Sequence, residues 1–597
     1  MPPAPRGVVS KSAQNVIFQA YRSSWISPTS SNSRHIHGGP SLIKTPKDPT
    51  SKHSVTSIAV PPVASEEVER CFNKLDLSFT NTKEAFKSKT NYELLRALIV
   101  LKLCSFEFLV KNNDKVLQFL RKALGKSLFD RLLKATFFGH FVAGETKQEA
   151  AKRVQRIRRF GVKSILYHSV ESDISHQETE ENPFEGITKP GTHVFPGEKG
   201  CDKNMDIFCE SIDAVVEALG SEGIAAIKLT ALGRPQLLLK LSESIMQTRN
   251  FFKVLTGAPK ETLFMNKISE EDFLRRFKEL GIKVDNKQVR EWFKTIDNDR
   301  DGFLDFHEWG DSVDKNEELA PMFKVINAHA DKSRLPIETL SKSEELEFAK
   351  VMQRLLHVAD YAVEKNVKMI IDAEQTYFQP AISRMAVELM RKYNKNGGQI
   401  LNTYQAYLKS TFNTIETDMS LARKENFTFG AKLVRGAYMD QERKRANALG
   451  YEDPINPNFE ATTQMYYKCL RRIIEERGAR GPGQVSVMVA SHNEEGIKFA
   501  VQLMKDNNVP PSERTVCFGQ LFGMCDQISF SLGQSGYSIY KCVPYGPVED
   551  VLPYLSRRAL ENGGMLTKVQ KERALLWSEI KRRISSGQLI YKVPQVA

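Results

Sequence analysis

Eight short runs rich in β-branched and apolar residues constrain this chain more than any other feature. They are Val162–His168, Ala225–Thr230, Lys368–Asp372, Gln399–Tyr404, Ala431–Val434, Val485–Ala490, Thr515–Gln520 and Ser538–Val543, most of them separated by helical segments. Strand alternating with helix builds βα units on a parallel sheet, because parallel neighbours need a long crossover. Eight such units predict a (β/α)8, TIM-like barrel. No GxGxxG follows any run, which argues against a dinucleotide-binding Rossmann half.

The remaining segments attach to that barrel. Residues 1–60 read as presequence and linker. They are rich in Ser and Arg, and the first 47 contain six basic residues and no acid. That is the composition of a mitochondrial transit peptide. The whole chain carries +13, so the rest carries +7, without the basic and aromatic stripe that nucleic-acid binding needs. The eight cysteines form no CxxC pair, which fits a reducing compartment. Residues 61–158 predict an N-terminal helical region. Leu94, Leu95, Leu98 and Ile99, then Leu117, Phe119, Leu120 and Leu124, then Phe129, Leu132 and Leu133 read as its core-facing stripes. The barrel is expected over 159–234 and 366–565, interrupted by a helical insertion at 235–365, with a C-terminal helix and tail at 566–597.

In such barrels chemistry sits at the C-terminal strand ends. Those ends offer Lys228, Asp372, Gln405, Lys432, Arg435, His492 and Asn493. Singly, Lys228 reads as a surface lysine and His492 as a hydrogen-bonded strand-end histidine. A polar residue at most of the ends is the stronger observation. After the last strand and Pro544-Tyr545-Gly546-Pro547, a helix over 548–562 places Tyr554, Arg557, Arg558 and Glu561 at i, i+3, i+4 and i+7. Alone, such a face is a solvated basic surface. Closing a long alternation of strands and helices, paired guanidiniums beside a phenol suit a small carboxylate.

These residues carry a family resemblance. Asp372-Ala373-Glu374-Gln375-Thr376-Tyr377-Phe378-Gln379-Pro380, Lys432-Leu433-Val434-Arg435-Gly436-Ala437-Tyr438, Ala490-Ser491-His492-Asn493, Gly519-Gln520-Leu521-Phe522-Gly523-Met524-Cys525 and the Tyr554…Arg557-Arg558…Glu561 helix resemble the proline dehydrogenases. The resemblance is to the single-function mitochondrial type and is densest over 367–562. It implies a distorted barrel with non-covalent FAD that oxidises L-proline to Δ1-pyrroline-5-carboxylate and passes electrons to ubiquinone, on the matrix side of the inner mitochondrial membrane. It also implies roles. Arg557, Arg558 and Lys228 would bind the proline carboxylate, Tyr554, Leu521 and Tyr438 would pack around the ring, and Asp372 would line the site. Gln405, Lys432, Val434, Gly436, Ala437 and His492 would contact FAD, with Glu561 ion-paired near the arginines and the flavin. Lys432 stands where bacterial members have Arg, so the charge survives without the fork. The family's last-strand Tyr is replaced here by Cys542, as a smaller residue replaces it in the hydroxyproline dehydrogenases. That change opens room for 4-hydroxyproline unless Tyr545 or a water fills it.

A second motif lies in the insertion. Asp297-Asn298-Asp299-Arg300-Asp301-Gly302-Phe303-Leu304-Asp305-Phe306-His307-Glu308 fits an EF-hand loop. Asp297, Asp299, Asp301, the Phe303 carbonyl, Asp305 and Glu308 would ligate Ca2+, and Gly302 permits the turn. Val289–Ile296 and Phe306–Val313 are the expected flanking helices, and a degenerate partner hand is expected at Ile268–Val284. The bland alternative is an acidic helix-to-helix loop without metal. Finally, Arg573–Ile584 sets Leu576, Trp577, Ile580 and Ile584 on one face beside Lys581, Arg582 and Arg583. Such a helix either docks on an anionic membrane or packs on the barrel.

Overall fold

In the computed structural model, which describes residues 62–168, 195–312, 316–329, 337, 340–563 and 566–594, eight parallel strands close into a barrel. They are β1 (Val162–His168), β2 (Ile224–Ile227), β5 (Lys368–Ile371), β6 (Ile400–Gln405), β7 (Phe429–Val434), β8 (Val485–Ala490), β9 (Val516–Leu521) and β10 (Ile539–Tyr545); β3 (Lys267–Ser269) and β4 (Phe303–Asp305) lie in the insertion. Each barrel strand pairs with its sequence neighbours in the barrel, and β1 closes the ring against β10 from Val162–Ile539 to His168–Tyr545. All eight expected strands are present. β2 stops short of the expected Thr230 because Leu229–Ala231 turns as a 3-10 helix. The expected presequence lies outside the described residues.

The side-chain period of two sorts each strand into an inward and an outward set. Ile165, Ile224, Ile370, Leu401, Met488, Cys517 and Tyr540 form the buried stack inside the barrel. Each buried side chain of this size contributes about 1.5–3 kcal/mol. The same parity, followed toward the C-terminal strand ends, selects which side chains line the mouth.

Between β2 and β5 the chain leaves the barrel. The insertion pairs β3 antiparallel with β4, with Ile268 opposite Leu304. It has its own aromatic core, including Phe252, Phe273, Phe277, Trp292, Phe293 and Trp309. Trp309 is fully buried and its Nε1 donates to the Thr248 carbonyl at 2.7 Å. Helices Asn286–Ile296 and Phe306–Asp311 flank the acidic loop.

At the N-terminal side, Leu117, Leu120, Leu124, Phe129 and Leu133 pack on Val551, Tyr554 and Leu555 of the helix Val548–Gly563. The expected stripes are therefore only partly right. Leu95, Ile99, Phe119 and Leu132 are 52%, 46%, 69% and 40% exposed. These helices bury a single face, and a residue one step off that face is rotated about 100° away from it. The helix Leu566–Ser585 packs on Asn91–Leu103 through Leu576 and Ile580. Arg583, expected on a solvent or membrane face, is buried and bonds the Phe86 and Lys89 carbonyls, both at 2.9 Å. Trp577 and Ile584 remain exposed. Among the described residues no helix is long and apolar enough to cross a membrane.

Candidate active site

Two-residue steps outward from the buried stack lead from Ile224 to Lys228, Ile370 to Asp372, Leu401 to Gln405, Met488 to His492, Cys517 to Leu521 and Tyr540 to Cys542. Six sequence-selected residues thus share one parity and converge on the mouth. On β7 the corresponding residues are Lys432 and Val434.

Lys432 is at the centre. Its Nζ lies 2.7 Å from Asp372 Oδ1, with Lys228 and Cys542 within electrostatic reach. Burial alone would lower the Lys432 pKa, but Asp372 and Cys542 more than offset it, so the ammonium stays charged. Glu374 joins the neighbouring strand ends. Its Oε2 accepts from the Tyr438 hydroxyl at 2.7 Å, and its carbonyl accepts from Gln405 Nε2 at 2.8 Å. Burial, then the Glu374 carboxylate, holds the Tyr438 phenol well above its ordinary pKa, so it remains a donor. Glu374 was not among the expected site residues. It lies two residues after Asp372, so strand parity alone would have pointed to it.

His492 is oriented from both sides. Its Nε2 accepts from the Leu521 backbone N–H at 2.9 Å, which assigns the proton of the neutral ring to Nδ1. Nδ1 in turn faces Glu561 Oε1 at 3.4 Å. The other Glu561 oxygen lies 2.5 Å from Arg558 Nη1, and the Arg558 guanidinium sits 5.1 Å from the Tyr554 ring centroid. Arg557 lies within electrostatic reach of Tyr438. The helix Val548–Gly563 therefore brings Tyr554, Arg557, Arg558 and Glu561 to the mouth as one unit.

Just past β7, Gly436 adopts φ +132°, and a Cβ there would meet the Tyr407 ring at 2.3 Å. Glycine is required at that step, and with Ala437 it leaves backbone open beside Val434. Two strand-end residues do not join the site. Arg435 turns outward to Thr463 at 3.1 Å, and Asn493 caps the helix Glu494–Asp506 through the Gly496 N–H at 2.8 Å.

With the geometry established, the relatives identify the chain. A family model described as proline dehydrogenase matches residues 201–571. A Caenorhabditis elegans protein named proline dehydrogenase 1, mitochondrial, is 52% identical, covering 88% of this chain and 91% of its own. The chain belongs to the proline dehydrogenase family. It is accordingly an oxidoreductase. The human protein of the same name is 40% identical over 86% of this chain and 91% of its own. A human hydroxyproline dehydrogenase is 33% identical over 84% of this chain and 93% of its own. A solved structure of proline utilization A from Bdellovibrio bacteriovorus is similar over 84% of this chain and 41% of its own, at 15% identity and TM-score 0.48.

In the insertion, the acidic loop brings ligand atoms of Asp297, Asp299 and Glu308 within 4.8 Å of one another. The Gly302 N–H donates to Asp297 Oδ2 at 3.2 Å. Sequence reasoning missed Lys424, at the end of the barrel helix Thr411–Lys424. Its Nζ reaches Asp299 Oδ2 at 2.9 Å, Asp305 Oδ2 at 2.7 Å and Glu308 Oε1 at 3.9 Å. Asp301 pairs with Lys267 at 2.5 Å. No sequence signal near the loop could have found Lys424, which lies more than a hundred positions away.

Proposed function

We propose that this chain oxidises L-proline to Δ1-pyrroline-5-carboxylate with FAD, in mitochondria, and delivers the electrons to ubiquinone at the matrix face of the inner membrane. The convergence of Lys228, Asp372, Lys432, Leu521 and Cys542 beneath the helix carrying Tyr554, Arg557 and Arg558 carries the reading. Arg557, Arg558 and Lys228 bind the substrate carboxylate, and their positive charge fixes the ring in one pose. Tyr554, Leu521 and Tyr438 pack around the ring, and Asp372 lines the site while holding Lys432. The reaction removes a hydride from the ring carbon next to nitrogen and a proton from the nitrogen. Gln405, Lys432, Val434, Gly436, Ala437 and His492 form the wall that holds the flavin, with Glu561 orienting His492 and Arg558. The exposed backbone at Gly436, whose Cβ side the Tyr407 ring fills, and the charged Lys432 fit a planar cofactor that gains negative charge on reduction. Bound flavin supplies the hydride acceptor.

Exposed Phe108 and Phe119, near Lys111 and Arg121 in sequence, support peripheral contact with an anionic bilayer. No nucleic-acid partner is part of this reading. Calcium belongs to the insertion: Asp297, Asp299, Asp301, the Phe303 carbonyl, Asp305 and Glu308 are the ligands, and the Lys424 ammonium occupies a cation's place among three of them. Ca2+ enters by displacing it.

Hydroxyproline oxidation is the second reading, and Cys542 favours it. Anaerobic titration of the purified protein with L-proline, and separately with trans-4-hydroxy-L-proline, decides between them through flavin absorbance. Bleaching by proline at the lower concentration supports the main reading, and preferential bleaching by hydroxyproline transfers the chain to the second. A protein that binds no flavin overturns both and favours a calcium-responsive scaffold with an inactive barrel. In Cys542→Tyr, the ratio of kcat/KM for the two substrates shifts toward proline; an unchanged ratio removes Cys542 from specificity.

A further inference from the structure

Outside the barrel wall, between β9–β10 and the N-terminal helices, lies a cavity of ≈ 30 Å³ unrelated to the mouth. That is room for about two waters or one small oxyanion. Its lining is unevenly charged. Five cations (Lys89, Arg96, Arg153, Arg156 and Lys541) face two carboxylates, Glu93 and Asp526. Both carboxylates are already engaged. Glu93 Oε1 takes Arg156 at 2.6 Å and Arg153 at 3.5 Å, and Asp526 takes Lys89 at 2.7 Å and Lys541 at 3.0 Å.

Donor capacity is left over. Arg96 is 8% exposed, and its Nε has no hydrogen-bond partner. Arg156 Nε is in the same condition. His140, 5% exposed, also lines the cavity, but burial lowers its pKa to about 3 and its ring N–H is given to the Gly523 carbonyl, so it adds neither charge nor a donor. Gly139 has no side chain to keep the guanidinium away: a Cβ there would lie 2.5 Å from Arg96 Nη1. Burying guanidinium donors without acceptors is costly, and a bound anion relieves that cost.

We propose that this cavity binds one small oxyanion of the size of inorganic phosphate, held chiefly by Arg96, with Arg153 and Arg156 at its side. The site touches the catalytic wall from behind. Lys541 Nζ donates to the Leu521 carbonyl at 3.3 Å and also to that of Met524, and Leu521 is the residue whose N–H orients His492.

The test is calorimetric titration of the flavin-loaded, full-length protein with inorganic phosphate at constant ionic strength. A proline analogue saturates the mouth so that its arginines do not contribute. One saturable site is expected. Arg96→Gln should weaken it by about tenfold or more, the loss of one charge-assisted hydrogen bond. Arg153→Gln serves as the second variant, since Arg153 is 29% exposed at its side chain and is tolerant of change should Arg96→Gln fail to fold. It should weaken binding less, by severalfold. No saturable uptake by the unmodified protein, or uptake that every folded variant leaves unchanged, overturns the site and leaves it filled by water.

Discussion

The barrel mouth and the insertion loop both hold a lysine among carboxylates, yet they are built for opposite ligands. In the mouth, four cations (Lys228, Lys432, Arg557 and Arg558) meet three carboxylates, Asp372, Glu374 and Glu561. The excess is positive and suits a substrate carboxylate. In the loop, Asp297, Asp299, Asp301, Asp305 and Glu308 meet Lys424, Lys267 and the exposed Arg300. The excess is negative and suits a divalent cation. Burial would lower the pKa of both lysines, and in both the neighbouring carboxylates overcome it. The difference lies in the frame. Lys432 is fixed by a strand inside a closed barrel, whereas Lys424 reaches in from the last turn of a helix and is 34% exposed at its side chain. The first is held by the barrel itself, and the second only by the end of a helix.

Substitution sharpens or breaks that contrast. The largest effect is expected from Lys432→Met, which slows flavin reduction by proline on the order of 100-fold or more, with partial recovery in Lys432→Arg. Stopped-flow absorbance checks it, and a rate within a factor of about two of the unmodified enzyme would make Lys432 structural. Next, Arg557→Met raises KM for proline roughly 30-fold with a smaller change in kcat, as expected for losing a charged hydrogen bond to the carboxylate. Steady-state kinetics showing kcat alone reduced would place Arg557 elsewhere. Lys424→Met removes the competing cation and tightens Ca2+ binding about tenfold, with proline turnover unchanged. Calorimetry finding no calcium uptake by either form would return the loop to a plain acidic turn.

A last effect, read in stability rather than in activity, concerns a third cluster, around Glu93. Burial would raise this carboxyl, but Arg156 overcomes it and lowers the pKa from 4.5 to about 2. A depressed carboxylate stabilises the fold above its ordinary pKa, and that contribution disappears as pH falls toward the folded value. Glu93→Gln should therefore lower Tm at neutral pH, by at most roughly 2–3 kcal/mol in stability, with the difference shrinking below pH about 4.5. A pH-independent gap in differential scanning calorimetry would assign the loss to packing around residue 93 rather than to its charge.

The strands were legible as short β-branched and apolar runs such as Val485–Ala490, bounded by helical segments, and being buried on both faces they show no alternation of their own. The period of two then explains why Asp372, Gln405 and His492, picked from the strand ends, share one face, whereas Cys542 was reached only through the family resemblance. Arg435 and Asn493 show the limit: both are polar and near strand ends, but one lies on the outward parity and the other caps a helix. In the N-terminal region, Leu94 and Leu95 are indistinguishable by composition, and only the neighbouring helix decides that Leu94 is buried while Leu95 is exposed. Lys424 and Lys541 were invisible for a different reason. Their partners are brought to them by tertiary packing across the chain, and a lone lysine on a helix end or on an outward strand position has no local signature.

The insertion leaves from β2 and returns into β5, and those two strands are hydrogen-bonded neighbours from Ile224–Lys368 to Ile227–Ile371. To the barrel, everything between them is a single connection whose two ends are already side by side. The entropic cost of such a connection grows only slowly with its length. The barrel thus has a natural seam, between two strands whose register is set by their own pairing and not by what lies between them in sequence.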